Sequence, residues 1–152
     1  MADWTSQRYW EDVAEGDSLP ALGFPLSVHR LIVAAGASKD FAQIHHNTEV
    51  ARAQGAGDMY ASNVLLLGMW ERVVREYIGL DGVIVRIGPL RMKQFATAGE
   101  TVTVRASVTR KWSEDDRALV EIALRSEIST GDAVTGVVRV ALPRRTPVAQ
   151  TP

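Results

Sequence analysis

The stretch Ser38-Lys-Asp-Phe-Ala-Gln-Ile-His-His-Asn47 carries one carboxylate and two imidazoles in a single short run. Asp40 and His45 stand five positions apart, and in a compact loop both can face the same small volume. A carboxylate accepts a proton, and an imidazole orients a water molecule or shuttles a proton near neutrality, so the pair can grip one water between them. That is equipment for adding water to a substrate or removing it. The same spacing also suits a structural role, with Asp40 closing a turn and His45 hydrogen-bonded in place. Spacing alone leaves both readings open.

Other candidate groups are weaker. His45, His46 and Glu49 match no zinc signature, and adjacent histidines rarely converge on one ion. His46 is expected to face solvent and His29 to sit on the surface or at a helix start. Ser62 lacks the Gly-x-Ser-x-Gly turn of a nucleophilic serine. Gly57, Gly68, Gly79 and Gly82 form no phosphate-cradling fingerprint, so no nucleotide cofactor is expected. Trp4, Trp10, Trp70 and Trp112 are dispersed along the chain, which suits packing better than base stacking.

The elements that must position the loop follow from periodicity. Leu31 to Ala37 reads as a brief helix that hands the chain to a loop from Ser38 to His46. Asn47 is a plausible N-cap for a short helix through Ala53, ended by Gly55 and Gly57. Tyr60 to Ile78 reads as a long helix, apolar on nearly every side at first (Val64, Leu65, Leu66, Leu67, Met69, Trp70), so it must be wrapped. Its later part carries Glu71–Arg75 and Arg72–Glu76 at i,i+4 on a solvent flank, and Gly79 stops it. Beyond it the period changes to two. Thr101 to Thr109, Leu119 to Ile128 and Val134 to Leu142 alternate as strands with one dry face, joined by the turns 113–116 and 129–132 into an antiparallel meander. Val83 to Met92 adds a strand kinked near Gly88-Pro89, and Leu19 to Val28, interrupted by Pro20, Gly23 and Pro25, suggests a broken or edge strand. A long apolar helix followed by a meander predicts an α+β fold with the sheet curled around the helix.

Composition sets outer limits. The 152 residues suit one domain, with 1–145 as its extent and 146–152 as a flexible tail. Seventeen basic against eighteen acidic residues, with no basic stripe, argue against a nucleic-acid partner. The absence of cysteine removes disulfides, thiolate metal sites and cysteine nucleophiles. No apolar run is long enough to span a bilayer and the N-terminus lacks a signal-peptide core, so a cytoplasmic protein is expected.

The loop resembles the hydratase-2 signature of MaoC-like dehydratases and (R)-specific enoyl-CoA hydratases, roughly Ser-Gly-Asp-x-Asn-Pro-Ile-His-x-Asp with a downstream Ala. Asp40, Ile44 and His45 fall in register, and Ala51 follows. Tyr9 to Asp17 resembles the family's opening, and Phe95 to Glu100 resembles its turn before a long strand. Two positions depart. The family's Asn-Pro is Ala42-Gln43 here, and its His-Gly-Met at the start of the central helix falls on Ser62-Asn63-Val64. Asp-Met-Tyr-x-x-Asn at 58–63 is similar to MaoC-like subunits that pair with a second hot-dog chain in actinobacterial steroid or acyl-CoA degradation.

The resemblance implies a single hot-dog domain that hydrates a trans-2-enoyl-CoA, or dehydrates an (R)-3-hydroxyacyl-CoA, with water held by Asp40 and His45. The backbone amide of Asn63 would polarise the thioester carbonyl, since a main-chain donor survives replacement of the family's glycine. Ser62, Leu65, Leu66 and Met69 are expected to contact the acyl group, and Arg91 and Lys93 to meet the CoA phosphates unless they form a solvated strand face. No cofactor is needed beyond the CoA or acyl-carrier thioester. A homodimer or a heteromer with another hot-dog subunit is expected. A hot-dog thioesterase and a non-catalytic subunit of a heteromeric hydratase remain as alternatives.

Overall fold

In a computed structural model that describes residues 6–145, five strands form one antiparallel sheet. They are β1 (Ser18–Pro25), β2 (Val83–Met92), β3 (Thr101–Glu114), β4 (Arg117–Ile128) and β5 (Gly131–Ala141), in the order β1-β3-β4-β5-β2. Three helices, α1 (Val28–Ser38), α2 (Thr48–Ala53) and α3 (Asn63–Ile78), lie between β1 and β2 in the chain. The expected tail, 146–152, falls outside the described residues.

The period-two reading predicts which side chains are dry. Val102, Val104, Ala106 and Val108 of β3 are buried, as are Val120, Ile122 and Leu124 of β4. They form one core with Leu19 of β1, Val134, Val138 and Val140 of β5, and the buried stripe of α3. That stripe is Leu66, Met69, Trp70, Val73, Val74, Tyr77 and Ile78. Val, Ile and Tyr each cost a helix up to about 0.7 kcal/mol in propensity, whereas burying a large apolar side chain contributes roughly 1.5–3 kcal/mol. Packing therefore decides that this segment is helical. Ser126 also occupies an inward position of β4, fully buried, where its hydroxyl accepts from Trp70 Nε1 at 2.8 Å.

Several boundaries differ from expectation. The central helix begins at Asn63, three residues after Tyr60, because Ser62 is its N-cap, accepting from the N–H of Leu65, while Tyr60 forms a β-bridge with Thr97. Helix α1 begins at Val28, where Ser27 caps it by accepting from the N–H of Arg30. Asn47 caps α2 as expected, accepting from the N–H groups of Glu49 and Val50. Val64 is not wrapped; it is 56% exposed. Of the two i,i+4 pairs only Arg72–Glu76 forms an ion pair among the described residues; Arg75 donates instead to the carbonyls of Gly79 and Gly82. No helix among the described residues is long and apolar enough to cross a membrane.

Candidate active site

The loop before α2 is held by its own backbone. Lys39 takes a left-handed conformation (φ 56°) at the end of α1, and the N–H of Asp40 returns to the carbonyl of Ala35 at 3.0 Å. Asp40 Oδ1 then accepts the N–H of Ala42 at 3.4 Å. Gln43–His45 forms a 3₁₀ turn, in which His45 N–H meets the carbonyl of Ala42 and Asn47 N–H that of Gln43. These bonds order the loop in the absence of the Asn-Pro step of the related signature.

The result brings Asp40 and His45 together. His45 Nε2 lies 3.4 Å from Asp40 Oδ2. The imidazole is buried, whereas the carboxylate is 34% exposed. The other ring nitrogen, Nδ1, is 2.8 Å from the main-chain carbonyl of Tyr60. A carbonyl only accepts, so Nδ1 carries a proton, and Nε2 presents a lone pair toward the carboxylate in the neutral ring or donates to it in the charged one. In the neutral ring two acceptors face each other and take a shared donor. A water molecule donating one O–H to each satisfies both, and its oxygen lone pairs then face away from the pair.

Asp40 and His45 open onto a cleft of about 470 Å³, lined by Ile44, Tyr60, Ala61, Asn63, Leu66 and the run from Met92 to Ala96. The Tyr60 ring stands edge-on to His45 (centroids 5.4 Å apart) and lies 4.5 Å from Phe95. The segment 59–61 is tied to 96–98 by Ala61 N–H to Ala96 O and Ala98 N–H to Met59 O. Asp58 anchors its other end, accepting from Thr48 Oγ1 at 2.5 Å and from the N–H of Met59 at 2.7 Å. Those two donors hold the Asp58 carboxyl below the ordinary carboxylate range. Asn63 is the first residue of α3, and among the described residues no acceptor meets its N–H or that of Val64. At Asn63 the start of α3 therefore offers this cleft an unused main-chain donor and the positive end of a helix dipole.

The other expected site residues separate. Leu66 lines the cleft, but Leu65 and Met69 line a groove on another side of α3, with Phe24, Ala34 and Val64. Ser62 is buried, its hydroxyl occupied as the cap of α3. Lys93 lines the cleft and pairs with Asp132 at 3.0 Å. Arg91 is exposed on β2 and lies outside the cleft lining. His46 and His29 are exposed, as expected. Sequence reasoning missed Tyr60, because its contribution is a main-chain carbonyl that any residue carries. It also missed Phe95 as a cleft wall, although the turn containing it had been singled out.

No protein-family model matches the chain. It is 29% identical over 112 residues, 74% of this chain and 83% of the relative, to the 3-oxo-4,17-pregnadiene-20-carboxyl-CoA hydratase beta subunit of Mycobacterium tuberculosis. Among solved structures, the ChsH1–ChsH2 complex of Mycobacterium tuberculosis contains a chain with 28% identity and a TM-score of 0.78, covering 85% of this chain and 98% of that one. The (R)-hydratase PhaJ1 of Pseudomonas aeruginosa superposes with a TM-score of 0.77 at 17% identity, covering 95% and 93%. A MaoC-like dehydratase of Rhodospirillum rubrum does so with 0.77 at 21%, covering 91% and 99%. The fold is the hot-dog fold these MaoC-like proteins share, and the chain is related to their hydratases.

Proposed function

We propose that this relative of the MaoC-like hydratases adds water to a trans-2-enoyl-CoA, or removes it from an (R)-3-hydroxyacyl-CoA, at the Asp40–His45 cleft. The observation that carries the reading is the pair itself: Nε2 and Oδ2 3.4 Å apart, with Nδ1 committed to Tyr60. Water donating to both groups attacks C3. The π electrons of the C2–C3 bond shift toward the thioester carbonyl, and the charge on oxygen is met by the Asn63 N–H. The Asp40–His45 pair takes one proton from the attacking water and returns one to C2, so the net change is the addition of one water. Because Nδ1 is occupied, Nε2 is the nitrogen of His45 that exchanges protons.

The relative's name supports a CoA thioester and a bulky ring-bearing acyl group, and its being one subunit of a hydratase supports a heteromer. Within such an assembly the presence of both Asp40 and His45 favours this chain as the member that carries the catalytic loop. Lys93 stands at the cleft wall as the cation best placed for a CoA phosphate.

The test is conversion of crotonyl-CoA and of a steroid 17(20)-enoyl-CoA, by the chain alone and with its partner, followed by loss of enone absorbance and by mass. Gain of one water with the thioester intact is expected. Release of free CoA without a 3-hydroxyacyl intermediate would instead identify a thioesterase.

A further inference from the structure

Tyr60 touches the Asp40–His45 loop three times. Its N–H donates to the carbonyl of Ile44 at 3.3 Å, its carbonyl accepts from His45 Nδ1 at 2.8 Å, and its ring stands at 86° to the imidazole with centroids 5.4 Å apart. Hydrogen bonds tolerate a broad range of angles, so the bond at Nδ1 alone lets the imidazole rock, and rocking swings Nε2 relative to Asp40. An edge-to-face ring contact is directional. It restrains the motion that the hydrogen bond leaves free.

The Tyr60 ring has a backstop of its own. Phe95 lies 4.5 Å from it, tilted by 36°, and among the described residues the Tyr60 hydroxyl forms no hydrogen bond, so ring packing is what holds this side chain. The chain on both sides of Phe95 is braced. Before it, Lys93 pairs with Asp132, and Gln94 donates to the carbonyl of Asp132 at 3.2 Å and accepts from Thr130 Oγ1 at 2.8 Å. After it, Glu100 Oε2 accepts from the N–H and the hydroxyl of Thr97 at 3.1 and 3.2 Å. The β-bridge between Tyr60 and Thr97 keeps the two segments, and with them the two rings, in register.

We infer that Phe95 is a positioning residue, which acts through the ring of Tyr60 to hold Nε2 of His45 toward Asp40. The inference rests on the proposed hydration at that pair. Among the described residues no ring contact joins Phe95 to His45 directly, so the effect passes through Tyr60. Phe95 is also 46% exposed and lines the cleft. A residue that only met the substrate there would change KM and leave the imidazole where it is.

NMR of the protein labelled with carbon-13 in its histidine rings reads the imidazole without substrate. The chain has three histidines, and the His45 signal is the one missing from His45→Asn. Phe95→Leu keeps an apolar side chain and removes the ring. In it the His45 signal is expected to move while that of His29 stays. With crotonyl-CoA in the active assembly, kcat is expected to fall roughly two- to tenfold at little-changed KM, the size of one lost ring contact. Phe95→Tyr, which restores a ring, is expected to bring signal and kcat back. In a Tyr60→Leu background Phe95→Leu is expected to cost nothing further, because its path to His45 is already cut. An unmoved His45 signal in Phe95→Leu overturns the proposal, as does a change confined to KM or a full second loss in the Tyr60→Leu background. Should Phe95→Leu not fold, Phe95→Ile is used with the same outcomes. The spectra need no turnover, so a wild type that fails to hydrate while its His45 signal still depends on Phe95 counts against the reaction and not against the ring contact.

Discussion

The main-chain carbonyl of Tyr60 accepts the Nδ1 proton of His45 at 2.8 Å, and this one contact assigns the basic nitrogen of the site. Nε2 is left to face Asp40. His45→Asn places an amide nitrogen near the Nδ1 position and keeps a donor for Tyr60 while removing Nε2. We expect kcat to fall about a hundredfold or more with little change in thermal stability; steady-state kinetics beside a melting curve would check it.

Asp40→Asn keeps the size of the side chain and its oxygen acceptor for the N–H of Ala42, but removes the base. Turnover in the active assembly should drop roughly a hundredfold or more. Near-normal kcat would refute the role given to the carboxylate.

The Asn63 amide is tested by a pair of variants. Proline is tolerated at the first position of a helix, where its missing N–H has no intrahelical acceptor. The preceding Ser62 already has the extended backbone (φ −71°, ψ 157°) that a following proline demands. Asn63→Pro should therefore fold normally and lose about 10²–10³ in kcat, the usual cost of one oxyanion donor. Asn63→Ala should retain most activity. Equal activity in the two variants would remove the amide from the mechanism.

Ser126 and Trp70 make a buried side-chain hydrogen bond between β4 and α3. Ser126→Ala strands the indole N–H in an apolar core, at a cost of about 1–3 kcal/mol. Urea denaturation should show the midpoint falling with the slope unchanged.

The Asp58 carboxyl is held low first by the Thr48 hydroxyl and then by the N–H of Met59. A depressed carboxylate contributes stability that is present above its unfolded value and lost as pH falls through the folded one. The stability gap between wild type and Asp58→Ala should thus be widest near neutrality and narrow below about pH 4. A gap independent of pH would show that the ionised form contributes nothing.

The sequence alone determined the meander strands and the loop, whereas the first strand, expected through Val28, ends at Pro25 because Ser27 caps α1. Alternation such as Val102, Val104, Ala106 and Val108 repeats the geometry of a pleated strand, and Asp40 to His45 is one short segment whose turn is closed by local bonds. The α+β class followed, as did the cap at Asn47. Tertiary structure decided the rest. Successive helical side chains point about 100° apart, so Leu66 enters the cleft while Leu65 turns into another groove; only the seating of α3 on the sheet selects between them. Arg91 and Lys93 are likewise close in sequence yet differ in reaching the cleft. The tautomer of His45 depends on a carbonyl fifteen positions away. Main-chain groups have no residue type, and pattern reasoning sees only side chains.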